Sequence, residues 1–374
     1  MNKIKKLSVL YGGQTVGTIA LYKNSLAAFE YDKEWLGNGF SISPFSLPLV
    51  QKVYLPKPDP FDGLFGVFAD SLPDGWGRLL VDRLLLRNRV NPMEVDSINR
   101  LAIVGSSGMG ALTYAPEHHF EAAVPIQDLD SIASECASIL KTDYCDNLDA
   151  LFQLGGSSGG ARPKILTRID GEEWIIKFPS SEDARNIGEQ EYHYSLCAKQ
   201  CGIEMEETHL FPSGVCSGYF GTRRFDRIIE KDGISRRIHI ISASGMLETS
   251  HRIPNLDYHI LMKLTLELTR DFTEVDQLFR LMCFNVYAHN RDDHSKNFSY
   301  LYDDKENRWR MSPAYDLTYS SSLGGEHATT VNGNGHNPGI SDIIEVARNI
   351  GIPERKARQT ACSIQEIVNE YHLF

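Results

Sequence analysis

The chain has 374 residues, 42% of them hydrophobic and 10% aromatic, enough for an ordinary buried core spread over two or three domains. A formal net charge of −11 excludes a broad basic surface that grips nucleic acid by counterion release. No run approaches the roughly 20 apolar residues of a membrane span, the apolar stretch in "MNKIKKLSVLYGG" is too short for a signal-peptide core, and seven cysteines scattered without a CxxC pair suit reduced thiols, so the expected location is the cytoplasm.

From Lys6 to about Glu34, the alternating segments "LSVLYGGQTVGTIALY" and "LAAFEYD" predict a small β-meander with Gly12-Gly13 as a hairpin turn. In "VFADSLPDGWGRLLVDRLLLRN", Asp74 stands where a cap would, before apolar positions at helical spacing. Residues 1–120 read as one module of strands plus helix, and "FEAAVPIQDLDSIASECASILKT" as a bridging helix with Pro125 near its start. Between Leu154 and Pro179, "LGGSSGGARPKILTRIDGEEWIIKFP" reads as a glycine-rich loop, a strand, a turn at Asp170-Gly171 and a second strand carrying Lys177. "NIGEQEYHYSLCAKQCGI" predicts a helix containing Glu191, and "GYFGTRRFDRII" a further strand. From about Leu256 helices dominate, interrupted by the charged segment "HNRDDHSKNF" and by the Gly/Asn-rich "GGEHATTVNGNGHNPG". The divisions expected are 1–120, 121–230 and 231–374.

The charged segment carries the chemistry. Asp292 and Asn297 are separated by four residues, and Asp316 follows in "SPAYDLT". Phosphoryl transfer needs one carboxylate to take the proton of the attacking hydroxyl, and an amide oxygen with a second carboxylate to hold magnesium. A D-x4-N spacing suits a catalytic loop that aims the first residue at substrate and the amide back at metal. The same chemistry asks for backbone N–H donors, a strand lysine and a carboxylate to orient it. "GGSSGGAR", Lys177 and Glu191 supply them in that order.

Taken singly, each feature has a plainer reading: glycine-rich segments are usually turns, strand lysines usually solvated, and mixed charge clusters usually solvated faces. The second such segment, Gly105–Gly110 "GSSGMG", has no lysine strand after it and reads as structural. The order of the five features is what favours a nucleotide site. No G-x-x-x-x-G-K-[ST] occurs, and the loop opens a hairpin rather than a helix, so Walker and Rossmann readings fail. A metallohydrolase using His289, Asp292, Asp293 and His294 is the rival enzyme, and it leaves the glycine loop and Lys177 unexplained.

At these residues the chain resembles the HipA family of serine/threonine kinases, the toxin halves of bacterial toxin–antitoxin pairs. "RDDHSKNFS" with "MSPAYDL" is similar to the family's D-G-H-x-K-N-F and L-x-P-x-Y-D motifs, "GGARPK" to its phosphate loop, "WIIKFP" to its lysine strand, and "RRFDR" to its interlobe segment. "SLPDGWGR" and "GALTYAPE" are similar to its N-terminal subdomain. The resemblance implies an α+β, two-lobed protein-kinase-like fold with an N-terminal β-rich subdomain and a mainly helical C-terminal lobe.

By that resemblance Asp292 is the catalytic base, Asn297 and Asp316 bind Mg2+, and Lys177, oriented by Glu191, contacts the phosphates of ATP. Gly159, Gly160, Ala161, Arg162, Pro163 and Lys164 line the nucleotide, His294 and Tyr315 lie nearby, and the main chain of Arg223, Arg224 and Phe225 meets the adenine. Ser157 or Ser158 is the autophosphorylation site, where nearly two added negative charges would repel the nucleotide. The implied partners are a helix-turn-helix antitoxin similar to HipB, promoter DNA held mainly through it, and a protein substrate, an aminoacyl-tRNA synthetase by family precedent, with no membrane. Asp293, where the family often has glycine, and Arg162, where several members have glutamine, depart from the pattern. The alternative from another class is a kinase-shaped binding protein that transfers no phosphate.

Overall fold

The computed structural model describes residues 3–23, 25–118, 128–141, 147–156, 159–231 and 233–373. Contacts gather the chain into two compact units. The first comprises Met1–Gly188, Phe211–Ile241 and Gly245–Thr249, the second Glu189–Leu210, Ser242–Ser244 and Ser250–Phe374.

The first unit opens with a five-stranded antiparallel sheet in the order Val53–Tyr54, Leu26–Tyr31, Gln14–Tyr22, Lys6–Tyr11, Leu112–Ala115. Alternation drives it: Leu7, Val9, Ile19, Ala27 and Phe29 are fully buried, and the residues between them face outward. Gly12 and Gly13, both at positive φ, join Tyr11 to Gln14 in the tight turn that the strand twist favours.

Beyond the sheet, the Gly75–Arg87 helix buries Trp76, Leu80, Val81, Leu84 and Leu85 at helical spacing. Trp76 and Leu80 share a core with Ile132, Cys136 and Ile139 of the Leu129–Leu140 helix, Leu148 and Leu151 of the Leu148–Gly155 helix, and Ile165, Trp174 and Ile176 of a hairpin. One core thus joins the early helix to the strands that follow the glycine loop.

That hairpin pairs Lys164–Ile169 with Glu172–Lys177, and Tyr219–Arg223 adds to its second strand. Asp170 and Gly171 turn it with φ of +51° and +86°. The stretch expected as a single strand at "GYFGTRRFDRII" is two, Tyr219–Arg223 and Arg227–Ile229. Between them Asp226 is buried and ionised. Arg224 grips both of its oxygens, at 2.9 and 2.8 Å, Arg227 lies at 2.8 Å, and the Gly110 N–H donates at 2.7 Å. Burial alone would raise this carboxyl, but the two guanidinium groups outweigh it and hold Asp226 well below the usual carboxylate range. Arg227 and Arg237 also donate to the carbonyls of Gly108 and Gly110. The "GSSGMG" segment is therefore a structural loop, with its three glycines buried and Ser106 and Ser107 exposed.

In the second unit, Asp257 and Asp271 cap the Tyr258–Thr269 and Phe272–Tyr287 helices, accepting N–H groups two residues on. The Ile340–Ile350 and Glu354–Tyr371 helices bury Ile343, Ile344, Val346 and Ala347, and Ala357, Ala361, Ile364 and Val368. An antiparallel hairpin, Ser299–Asp303 with Arg308–Met311, interrupts the helices and is absent from the sequence expectation. The Gly/Asn-rich segment forms a tight turn at Asn332-Gly333, preceded by Thr329–Thr330 paired in parallel with Leu256–Asp257. Mixed helix and sheet fit the expected class. No helix among the described residues is long and apolar enough to cross a membrane.

His239 of the first unit is 1% exposed and bonds the Ile42 carbonyl through Nε2 at 2.8 Å. Burial pushes it down to about 4 from the ordinary 6.5, the carbonyl only partly opposing. Below 6.5 the unfolded chain binds a proton that the folded chain refuses, so stability present above that value drains as pH falls toward 4, by up to roughly 3 kcal/mol. Denaturation midpoints across this range should show the loss in the wild type and a shallower slope in His239→Gln; equal slopes would contradict the assignment.

Candidate functional site

In the first unit, the Leu148–Gly155 helix runs directly into the glycine loop, which reaches the hairpin at Lys164. Gly159 is exposed, Gly160 has φ +85°, Ala161 is exposed and Pro163 buried. Ser157 and Ser158 lie outside the described residues. Arg162 forks onto Asp183 at 3.1 and 3.3 Å. Burial raises the Asp183 carboxyl, but the Ser180 N–H and Arg162 together bring it below its usual value. The departure at Arg162 therefore anchors the end of the loop.

Lys164 and Lys177 face one another in register, so their side chains leave the same face of the sheet. Like charges placed opposite are unfavourable unless an anion joins them. Lys164 is 7% exposed, with its Nζ beside Gly160, and the Lys177 Nζ lies 5.5 Å from the Phe220 ring. Arg223 ends the neighbouring strand and Arg224 follows it. The former approaches Glu172 at 3.9 Å and the latter is committed to Asp226, so Arg224 could serve a nucleotide only through its main chain. Phe225, which follows Arg224, is half-buried.

In the second unit the Phe272–Tyr287 helix ends at Ala288, and His289, at φ +50°, turns the chain into the charged segment. Asp292 is 64% exposed at its side chain, with His294 Nε2 at 3.9 Å. Asn297 donates its amide N–H to the Asp292 carbonyl at 2.7 Å. The acceptor being a carbonyl, nitrogen must occupy that position, which leaves Oδ1 as the end able to meet a cation. The hairpin then carries the chain out and back, Ser312 N–H donating to the Ser299 carbonyl at 2.8 Å. On the return, Tyr315 donates its hydroxyl to the Lys296 carbonyl at 2.6 Å and meets Ser299 Oγ at 2.6 Å. Residues adjoining Asn297 and Asp316 are thus bonded together. Asp316 itself has φ +53°, a left-handed conformation that aspartate tolerates better than most residues. Glu191 of the Ile187–Gln200 helix is 3% exposed, a carboxylate placed in the interior.

The donor set fits a magnesium-bound phosphate chemically: hard oxygen ligands at Asn297 and Asp316, with polar atoms enclosed beside them. His294 Nδ1 and Ser295 Oγ are buried without a hydrogen-bond partner on the same loop. Such orphans are costly unless a ligand or water satisfies them. The four-ligand metallohydrolase set does not assemble, because Asp293 turns inward, away from its exposed neighbour Asp292. Among the described residues no three His, Cys, Asp or Glu side chains gather as a metal site.

Asp293, 1% exposed, has a packing role that the sequence left open. Its Oδ2 accepts from Tyr258 at 2.9 Å and meets His327 Nδ1 at 3.0 Å, and its Oδ1 accepts the Thr329 N–H at 3.2 Å. Asn285 donates to the Tyr258 hydroxyl, and Asn290 to Asn285, each at 2.9 Å. This chain of bonds hangs the loop between a helix and the Thr329–Thr330 strand. Removing the carboxylate strands several buried groups, so Asp293→Ala should cost about 3 kcal/mol or more in denaturant unfolding, and Asp293→Asn less. A loss below about 1 kcal/mol would show that the network does not hold the loop.

The chain is similar to known proteins along most of its length. Residues 7–115 match the HipA N-terminal domain, and residues 156–371 the HipA-like C-terminal domain. Two Sinorhizobium fredii proteins are similar along most of the chain. "Putative kinase Y4mE" is 27% identical over 345 residues, covering 84% of this chain and 77% of that one. "Putative kinase Y4dM" is 23% identical over 336 residues, covering 85% and 78%. A solved Shewanella oneidensis MR-1 structure, a toxin–antitoxin complex of HipA, HipB and operator DNA, has a TM-score of 0.73 at 17% identity. It covers 98% of this chain and 90% of that one, which shows a shared fold. With both domains matched, the C-terminal one over more than half of the chain, this protein belongs to the HipA family.

Proposed function

We propose that the protein is an ATP- and Mg2+-dependent serine/threonine protein kinase acting as the toxin of a toxin–antitoxin module. The observation that carries this reading is the Tyr315 bond to Lys296. It ties the Asp316 turn to the Asn297 turn, and Asn297 is in turn fastened to Asp292. Base and metal ligands are thereby parts of one bonded cluster. The kinase names of both curated relatives support it independently.

When bound, ATP supplies the phosphoryl group and Mg2+ neutralises its oxygens. Asp292, exposed at the tip of its loop, receives the proton of the incoming hydroxyl. Asn297 Oδ1 and Asp316 hold the metal. Lys164, Lys177 and the backbone from Gly159 to Lys164 hold phosphate oxygens, the two lysines standing opposite one another on one face of the hairpin. By family resemblance Glu191 is assigned as the lysine-orienting acid, and His294 and Tyr315 border the nucleotide.

Autophosphorylation on Ser157 or Ser158 belongs to the same reading, since a phosphate in the glycine loop would repel the nucleotide. The partner is a HipB-like antitoxin that brings this acidic chain to promoter DNA; the Shewanella structure is a complex of HipA, HipB and operator DNA. The target class by family resemblance is an aminoacyl-tRNA synthetase, and the place of action the cytoplasm. In phosphoproteomics after brief expression, wild type should phosphorylate itself and a translation component, and Asp292→Asn should lose at least about 100-fold of the incorporation. Equal labelling by the two would refute Asp292 as the base, and no labelling by wild type would favour a kinase-shaped binding protein.

A further inference from the structure

Asp74 has the backbone of a helix cap, with φ −119° and ψ 178° ahead of Gly75–Arg87, but it makes no side-chain bond to its own helix. A capping aspartate accepts the N–H two or three residues on. Here the carboxylate accepts the N–H of Gly160 instead, 86 residues away in the chain. A Cβ placed on Gly159 would lie 3.0 Å from the same carboxylate. The bond is reciprocated: Trp76 donates its N–H to the Gly160 carbonyl at 2.9 Å.

Two glycines make this approach possible. A Cβ on Gly75, which has φ +44°, would collide with the Gly160 carbonyl oxygen and lie 2.9 Å from the Ala161 Cα. On the other side of the loop, a Cβ on Gly160 would lie 2.6 Å from Lys164 Nζ. Gly160 is therefore bracketed by a carboxylate and an ammonium, with its N–H directed at the carboxylate. The clasp is firmly backed, because Trp76 is 1% exposed in the core that also holds Ile165 and Trp174.

We propose that Asp74 is a resident anion of the glycine loop: its carboxylate occupies the donor that a nucleotide phosphate takes, so that nucleotide binding displaces Asp74 and releases the loop from "SLPDGW". This rests on the reading that the loop receives phosphates, and goes beyond it by giving the N-terminal module control of nucleotide affinity. Carboxylate and phosphate oxygens are both anionic acceptors for such an N–H. Two anions held within hydrogen-bond reach of one donor repel strongly in a partly buried site. Lys164 serves whichever anion is present. Asp74 touches no reacting atom and acts through the loop, as a positioning residue.

Calorimetric titration of the full chain with a non-hydrolysable ATP analogue plus Mg2+, and in parallel with adenosine, tests the idea. Asp74→Asn keeps the shape and an acceptor oxygen but removes the charge. It should bind the analogue at least about fivefold more tightly than wild type, with adenosine affinity unchanged. Asp74→Ser should shift in the same direction, and decides the matter if Asp74→Asn fails to fold. Unchanged or weaker analogue binding by a folded variant, or equal tightening for adenosine, would overturn the inference and leave the proposed function standing. Wild type that binds no analogue would overturn both.

Discussion

The arrangement of the second unit depends on one hydroxyl. Tyr315 reaches back across the base of the Ser299–Met311 hairpin to the Lys296 carbonyl and Ser299. A hairpin brings its two ends together, yet it does not fix the turns beyond them. The tyrosine does, and so ties the turn that bears Asn297 to the turn that bears Asp316. Its neighbour Asp316 stays in a left-handed conformation that costs conformational energy unless surrounding contacts hold it. Under the proposed function these turns are held in advance, with little left to reorganise when charge arrives.

Two of the buried carboxylates, Asp226 and Asp293, have the same design. Asp226 collects Arg224, Arg227 and the Gly110 N–H, and Asp293 collects Tyr258, His327 and Thr329. A buried charge is tolerated only with several donors, so each acid draws distant segments to itself. One secures the "GSSGMG" loop and the other the loop bearing Asp292. Asp292 stays exposed and Asp316 half-buried, while Asp226 and Asp293 carry the architecture.

Much of this was legible from local sequence. Gly12-Gly13 and Asp170-Gly171 announced their turns because positive φ is a local demand that few residues meet. The D-x4-N spacing announced its loop because a loop aims its residues by short-range geometry. Asp293 was not legible, since it adjoins Asp292 and looks identical in sequence. In extended chain, neighbours point to opposite sides, and only the packing of Tyr258 and His327 decides which acid is inside. Nor could spacing show that Asp74 reaches Gly160 in place of its own helix, though glycines at both 75 and 77 in a helical first turn were a hint that backbone approaches there. The Ser299–Met311 hairpin escaped because its strands follow irregular, charged chain, and their pairing rests on the fold around them.

The central claim is that Asn297 and Asp316 hold one cation. It is tested most directly by a double-mutant cycle on Mn2+ affinity, read by electron paramagnetic resonance with a non-hydrolysable ATP analogue present. Asn297→Ala and Asp316→Ala should each weaken Mn2+ by at least about tenfold, and the double variant should lose little more than the worse single, because both side chains meet the same ion. Strictly additive losses, or a single variant that leaves the affinity unchanged, would contradict the account.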